Sequence, residues 1–211
     1  MTKRLVLVAG TIGAGKTTIT ERLGEQLGWQ TGYESVADNP YLPDFYKDMR
    51  RWSFHLQVFF LGHRAEQHIE MAASPTSAIL DRSIYEDFYI FTRALHRLGN
   101  MSERDYSPSQ RVFDLVTSGL PAPDILIYVK APVEVLLERI AARGREIERG
   151  ITHDYLALLD ELYDEWLGDF DLCPVLTIQS NDLNFAHKPE HVEIVVQKVK
   201  EKMAGRDELV L

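Results

Sequence analysis

The sequence predicts an α/β fold: a doubly wound parallel sheet of about five strands, flanked by helices and carrying a short arginine-rich lid. Three observations carry that prediction. Short apolar runs recur between longer segments of helical periodicity, the order expected of strand–helix–strand crossovers. The first run, Leu5 to Ala9, is apolar throughout, as suits a strand buried on both faces. It leads directly into the glycine-rich segment Gly10 to Thr17, which a helical pattern follows.

The remaining elements follow in order. Thr17 to Leu27 reads as a helix, with Ile19, Leu23 and Leu27 at i, i+4 and i+8 and Gly28 as its stop. Trp29 to Val36 reads as the second strand, and Asp38 to Pro43 as loop, because Pro40 and Pro43 break regular structure. Trp52 to Ala72 is a long helix. Ala78 to Leu80 is a short buried strand ending in Asp81-Arg82-Ser83, and Ile84 to Leu98 is a helix closed by Gly99-Asn100. Asp105 to Ser118 is helical, and Asp124 to Val129 is a second strongly apolar strand. Val133 to Arg143 is helical, 144–150 is a charged loop, and Thr152 to Leu167 is helical again. Val175 to Ile178 and His191 to Met203 supply the last strand and helix. No internal repeat, low-complexity tract or linker interrupts the pattern. Residues 1–211 therefore read as one domain with its lid at about 139–150.

Composition narrows the function. Of 211 residues, 45% are hydrophobic and 26% charged, ordinary values for a globular chain that can bury a sizeable core without disulfides or metal. The single cysteine, Cys173, cannot form an internal disulfide, which fits a reducing compartment. The net charge of −9 and pI near 5.3 argue against a general nucleic-acid surface while leaving room for a small anionic ligand. No apolar run is long enough to span a membrane, and the expected compartment is the cytoplasm.

The segment Gly10, Thr11, Ile12, Gly13, Ala14, Gly15, Lys16, Thr17 matches G-x-x-x-x-G-K-[ST], with Thr18 next. Glycines let the backbone curl so that N–H groups converge on phosphate oxygens, and the following helix adds its positive end. Lys16 would neutralise β/γ-phosphate charge and the Thr17 hydroxyl would ligate Mg²⁺. The motif identifies a nucleoside triphosphate such as ATP as donor and leaves the acceptor open.

Other residues address the acceptor. Asp81 closes a strand, at the sheet edge where ligands bind, and can hold Mg²⁺ through water, while Arg82 can reach a transferring phosphoryl group. Arg139 and Arg143 share a helix face, and Arg145 follows in the charged loop; together they suit a lid closing over triphosphate, or a solvated surface. Gln57 and Arg64 lie seven residues apart on one largely apolar helix, close to two turns and about 10 Å along the axis. If buried they need partners. Asp87 can pair with Arg64, and a side-chain amide beside such a pair can read the edge of a base. Glu34 is a candidate general base for an acceptor hydroxyl. His55, His63 and His68 do not form a metal site by spacing.

Taken together, Gly10 to Thr17, Glu34-Ser35-Val36, Arg51 to Gln57, Asp81 to Asp87 and Arg139 to Glu148 make the chain resemble the deoxynucleoside kinases. The bacterial deoxyadenosine and deoxyguanosine kinases are nearest in style, and deoxycytidine kinase is also similar. The resemblance covers nearly the whole chain and implies a P-loop kinase fold, ATP and Mg²⁺ as cofactors, a homodimer through long helices, and poor acceptance of ribonucleosides. It implies that Glu34 takes the proton of the 5′-hydroxyl and that Arg82 bridges toward the phosphoryl group. Tyr46 and Glu148 would hold the sugar 3′-hydroxyl, Gln57 and Asp87 the base, with Arg64 oriented by Asp87. Phe91 would stack on the base, and Arg139, Arg143 and Arg145 would form the lid. The chain departs from the eukaryotic members in two places. Asp81-Arg82-Ser83 stands where they have Glu-Arg-Ser, and Asn39-Pro40-Tyr41 where they often have a tryptophan-containing stretch.

Rival readings are a thymidylate-kinase-like monophosphate kinase and a non-kinase nucleotide switch. The first would need cations near Glu34, where the sequence has a carboxylate and prolines. The second would need Asn-Lys-x-Asp after a late strand, where the sequence has Gln179-Ser180-Asn181-Asp182.

Overall fold

The computed structural model describes residues 3–33, 39–181, 183, 185 and 188–204. In chain order the elements are β1 (Leu5–Ala9), α1 (Lys16–Leu27), β2 (Gln30–Gly32), α2 (Leu42–Lys47), α3 (Met49–Ala73), β3 (Ala78–Asp81) and α4 (Ile84–Glu86). A π-helical segment (Asp87–Thr92) then leads into α5 (Arg93–Arg97), α6 (Glu103–Ser118), β4 (Ile125–Lys130) and α7 (Val133–Arg143). A 3-10 turn (Glu146–Glu148), α8 (His153–Asp169), β5 (Val175–Gln179) and α9 (Pro189–Ala204) complete the order.

The five strands lie in the order β2-β3-β1-β4-β5, every neighbouring pair parallel, as the alternating pattern predicts. The chain leaves β1 toward one side for β2 and β3, then crosses to the other side for β4 and β5. A crevice therefore opens beyond the carboxyl ends of the central strands. Register decides what faces it. Val8 pairs with Asp81, and the Arg82 N–H donates to the Val8 carbonyl at 2.9 Å, so the end of β3 lies beside the start of the glycine loop.

All of β1 and β3, and β4 up to Val129, are buried. Ile19 and Leu23 of α1, Leu136 and Ile140 of α7, and Leu156, Leu159, Leu162 and Tyr163 of α8 cover the sheet. Each such aliphatic side chain contributes roughly 1.5–3 kcal/mol by leaving water. A second cluster, Phe45, Leu56, Leu95 and Met101, binds α2 to α3 and to the end of α5.

The structure departs from the expected elements in four places. β2 is only Gln30–Gly32, Trp29 precedes it, and residues 34–38 lie outside the described residues. The expected loop through Pro43 gives way to α2, where the proline sits in the first turn and its missing N–H costs nothing. α3 begins at Met49 because the Asp48 carboxylate caps it, accepting from the Arg51 N–H at 3.0 Å. The single helix expected over 84–98 contains the π-helical segment, a wider turn common at functional sites.

Candidate active site

The glycine loop is shaped by the strand beneath it. Gly10 has φ 151, and a Cβ there would stand 2.4 Å from the Val129 carbonyl oxygen, so no side chain fits. Lys16 is buried and donates to the carbonyls of Gly10 at 2.6 Å and Thr11 at 3.1 Å. The Thr17 hydroxyl donates to Asp81 Oδ2 at 2.6 Å. The other Asp81 oxygen, Oδ1, is buried without a hydrogen-bond partner among the described residues. A buried carboxylate oxygen in that condition fits a cation or an ordered water. Among the described residues no group of three or more His, Cys, Asp or Glu could hold a metal unaided.

Beside Asp81, Arg82 adopts φ 79, in the left-handed region that non-glycine residues avoid. That turn places its guanidinium 4.5 Å from the centre of the Phe91 ring and 3.8 Å from Glu86 Oε1. Glu86, absent from the sequence-predicted set, is fully buried and joins distant parts. It accepts from the Gly10 N–H at 3.2 Å, from the Ser83 N–H at 3.3 Å and from the Tyr163 hydroxyl. Burial, reinforced by the Glu86 charge, pushes the Tyr163 hydroxyl well above the usual phenol range, so it stays protonated to donate. The Ser83-x-x-Glu86 spacing is a capping box, with Ser83 Oγ accepting from the Glu86 N–H at 3.3 Å. That spacing was the available signal.

At the far end of the crevice, Arg64 Nε donates to Asp87 Oδ2 at 3.0 Å, both side chains buried. Arg64 also donates to Gln67 Oε1 at 3.2 Å, and Gln67 Nε2 donates to the Tyr33 carbonyl at 2.8 Å. The pair is thereby tied to the residue just before Glu34, which itself lies outside the described residues. Gln57 is buried on the same face of α3, and its Oε1 lies 3.0 Å from Thr92 Oγ1.

The arginines divide. Arg143 holds Glu148 through Nη2 at 2.6 Å and Nε at 3.1 Å, and Arg145 stands 3.7 Å from the same carboxylate. Arg139, expected in the lid, instead donates to the Ser180 carbonyl, and to Ser180 Oγ at 3.0 Å and the Ala14 carbonyl at 3.4 Å. It lies along the outside of the glycine loop, where burial lowers its pKa. Ser180 Oγ donates to the same Ala14 carbonyl at 3.1 Å, so β5 and α7 together brace the loop.

One cavity of about 220 Å³ collects most of these groups. Ile12, Gly13, Lys16 and Thr17 line one part of it, with Asp81 and Arg82. Tyr46, Gln57, Asp87, Phe91, Arg143, Arg145 and Glu148 line the rest, while Arg64 stands behind Asp87. Gly10, Thr11, Ala14, Gly15, Thr18 and Arg139 do not line it. Leu42, Phe45, Leu56, Phe60, Leu95, Ile151 and Tyr155 complete the wall; most are apolar side chains, which carry no chemical signature in a sequence. Burial pushes the Tyr155 hydroxyl up to about 12, assisted by Tyr46 and opposed by Arg82, so it stays protonated at neutral pH.

A family model, deoxynucleoside kinase, matches residues 6–204. The chain is 38% identical to the deoxyadenosine/deoxycytidine kinase of Bacillus subtilis (strain 168), over 92% of this chain and 91% of that one. It is 32% identical to the deoxyguanosine kinase of the same organism, over 95% and 98%. Among solved structures, deoxyadenosine kinase from M. mycoides with the products dCMP and a flexible dCDP bound superposes with a TM-score of 0.81 at 29% identity, covering 93% of this chain and 99% of that one. The same enzyme with bound dATP gives 0.79, also at 29% identity and the same coverage.

Proposed function

We propose, from the premise that this chain belongs to the deoxynucleoside kinase family, that it transfers the γ-phosphoryl group of ATP to the 5′-hydroxyl of deoxyadenosine, deoxyguanosine or deoxycytidine. The product is the deoxynucleoside 5′-monophosphate, made in nucleotide salvage. The observation that carries this reading is the single cavity with a phosphate loop in one part and a buried Gln57–Asp87–Arg64 group in another.

Backbone N–H groups toward the end of the glycine loop, the Lys16 ammonium and the start of α1 receive the triphosphate, while the Gly10 N–H stays on Glu86. Mg²⁺ bound with ATP supplies charge neutralisation on the β- and γ-phosphates; Thr17 and Asp81 would hold it, and the unpartnered Asp81 Oδ1 fits that role. Glu34 takes the proton from the 5′-hydroxyl as it attacks. Arg82, held by Phe91 and Glu86, meets the charge of the transferring group, and Arg143 and Arg145 close over it. Tyr46 and Glu148 hold the 3′-hydroxyl, Gln57 and Asp87 read the base with Arg64 fixing Asp87, and Phe91 packs on the base. Little covalent chemistry is left to the protein; catalysis is positioning and charge stabilisation. Glu34→Gln should therefore lower kcat by roughly 10²–10⁴-fold with folding intact, and an unchanged kcat removes Glu34 from the role.

The assembly proposed is a homodimer through α3 and α6, which pack together and leave Val58, Ile69, Val112 and Leu115 exposed. The working compartment proposed is the cytoplasm; no helix among the described residues is long and apolar enough to cross a membrane. Purified protein with MgATP should phosphorylate deoxyadenosine, deoxyguanosine and deoxycytidine well above thymidine and the ribonucleosides. Nucleoside-independent ATP hydrolysis, or transfer to nucleoside monophosphates alone, contradicts the proposal.

A further inference from the structure

Thr92 closes the π-helical segment and is buried behind Gln57. Its Oγ1 lies 3.0 Å from Gln57 Oε1 and 2.9 Å from the Asp87 backbone carbonyl oxygen. A threonine hydroxyl carries one proton, so it cannot donate to both oxygens. The two acceptors differ in freedom. The Asp87 carbonyl belongs to the helix backbone and cannot turn away. The Gln57 amide can turn by 180° about its last bond, exchanging oxygen for NH₂, and its orientation follows from its partners. With Nε2 against Thr92, a chain runs from Gln57 Nε2–H to Thr92 Oγ1 and from Thr92 O–H to the Asp87 carbonyl, so both contacts of the hydroxyl are satisfied. The opposite orientation sets two buried oxygens competing for one proton.

We infer that Thr92 sets the orientation of the Gln57 amide and thereby makes the site select bases with an amino group on the pairing edge, adenine and cytosine, over the oxo base guanine. The inference rests on the reading that Gln57 and Asp87 face the base. Adenine presents its N6 amino donor beside the N1 acceptor, and cytosine its N4 amino donor beside N3. Guanine presents the reverse order, O6 as acceptor beside N1–H. An amide offers one acceptor and one donor side by side, so turning it exchanges the base that fits. With Nε2 held by Thr92, Oε1 faces the cavity that the Asp87 carboxylate also lines. An amino group donates to these acceptors, whereas guanine O6 meets lone pairs with a lone pair.

The test is kcat/KM for deoxyadenosine, deoxycytidine and deoxyguanosine in wild type, Thr92→Val, Thr92→Ser and Gln57→Leu. Wild type should favour deoxyadenosine and deoxycytidine over deoxyguanosine. Thr92→Val keeps the shape and removes the hydroxyl; it should lower the deoxyadenosine-to-deoxyguanosine ratio by at least about tenfold, the scale of a two-point base contact. The deoxyguanosine value itself should rise while that for deoxyadenosine falls. Thr92→Ser should restore the wild-type ratio. Wild-type preference for deoxyguanosine, or an equal loss for all acceptors in Thr92→Val, overturns the inference. If Gln57→Leu collapses the ratio and Thr92→Val preserves it, the role of Thr92 is overturned while base reading by Gln57 stands. If neither variant moves the ratio, base reading by Gln57 falls with it.

Discussion

Glu86 has no exposed surface, yet its carboxylate gathers the Gly10 N–H, the Ser83 N–H and the Tyr163 hydroxyl, with the Arg82 guanidinium 3.8 Å away. Removing one side of such a buried charged network strands the others. Glu86→Ala should cost about 3–5 kcal/mol of stability and weaken triphosphate binding, because Gly10 loses the anchor of its N–H. Urea unfolding with an ATP titration checks this; a loss below about 1 kcal/mol contradicts it. The local half of this arrangement was legible: Ser83 and Glu86 stand at capping-box spacing. The tertiary half was not, since Gly10 and Tyr163 lie 76 and 77 residues away and neither residue type announces a partner. The same limit hid Thr92 and Gln67. Both are ordinary helix residues until folding sets them against Gln57 and Arg64.

Among the elements, α7 and the turn after it separate two kinds of arginine that share one sequence pattern. Arg143 and Arg145 line the cavity beside Glu148, whereas Arg139 is spent on Ser180 and Ala14. Arg143→Met should lower kcat by roughly 10³-fold or more, as for an arginine that meets transferring phosphoryl charge. Arg139→Met should instead lower thermal stability and change kcat by less than about tenfold, because it removes a fastening and no cavity group. Equal kinetic losses in steady-state assays contradict this division. The i, i+4 spacing put both residues on one helix face, but it could not show that β5 would rise beside that face and take one of them. The π-helical segment was illegible for a related reason. Its register sets Asp87 and Phe91 along the cavity and Thr92 behind Gln57, while its residues have ordinary helical periodicity.

For the whole molecule, the sheet was the most legible feature, because β1, β3 and β4 are continuous apolar runs and buried parallel strands need them. At the start of β2 the match is looser, since Trp29 shares the apolar character of a strand but precedes the three paired residues. The exposed apolar side chains on α3 and α6 carry the expectation of a dimer, with Leu115 75% exposed. Leu115→Asp should shift sedimentation from dimer to monomer, and a wild-type protein that sediments as a monomer contradicts the assembly. The central claim is that one cavity joins a triphosphate to the 5′-hydroxyl of a deoxynucleoside. Its most direct test follows the label from [γ-³²P]ATP with deoxyadenosine as acceptor and Mg²⁺ present. Label is expected in the 5′-phosphate of deoxyadenosine monophosphate, one per ADP formed. Label released as inorganic phosphate, or found only on a nucleoside diphosphate from added monophosphate, would contradict it.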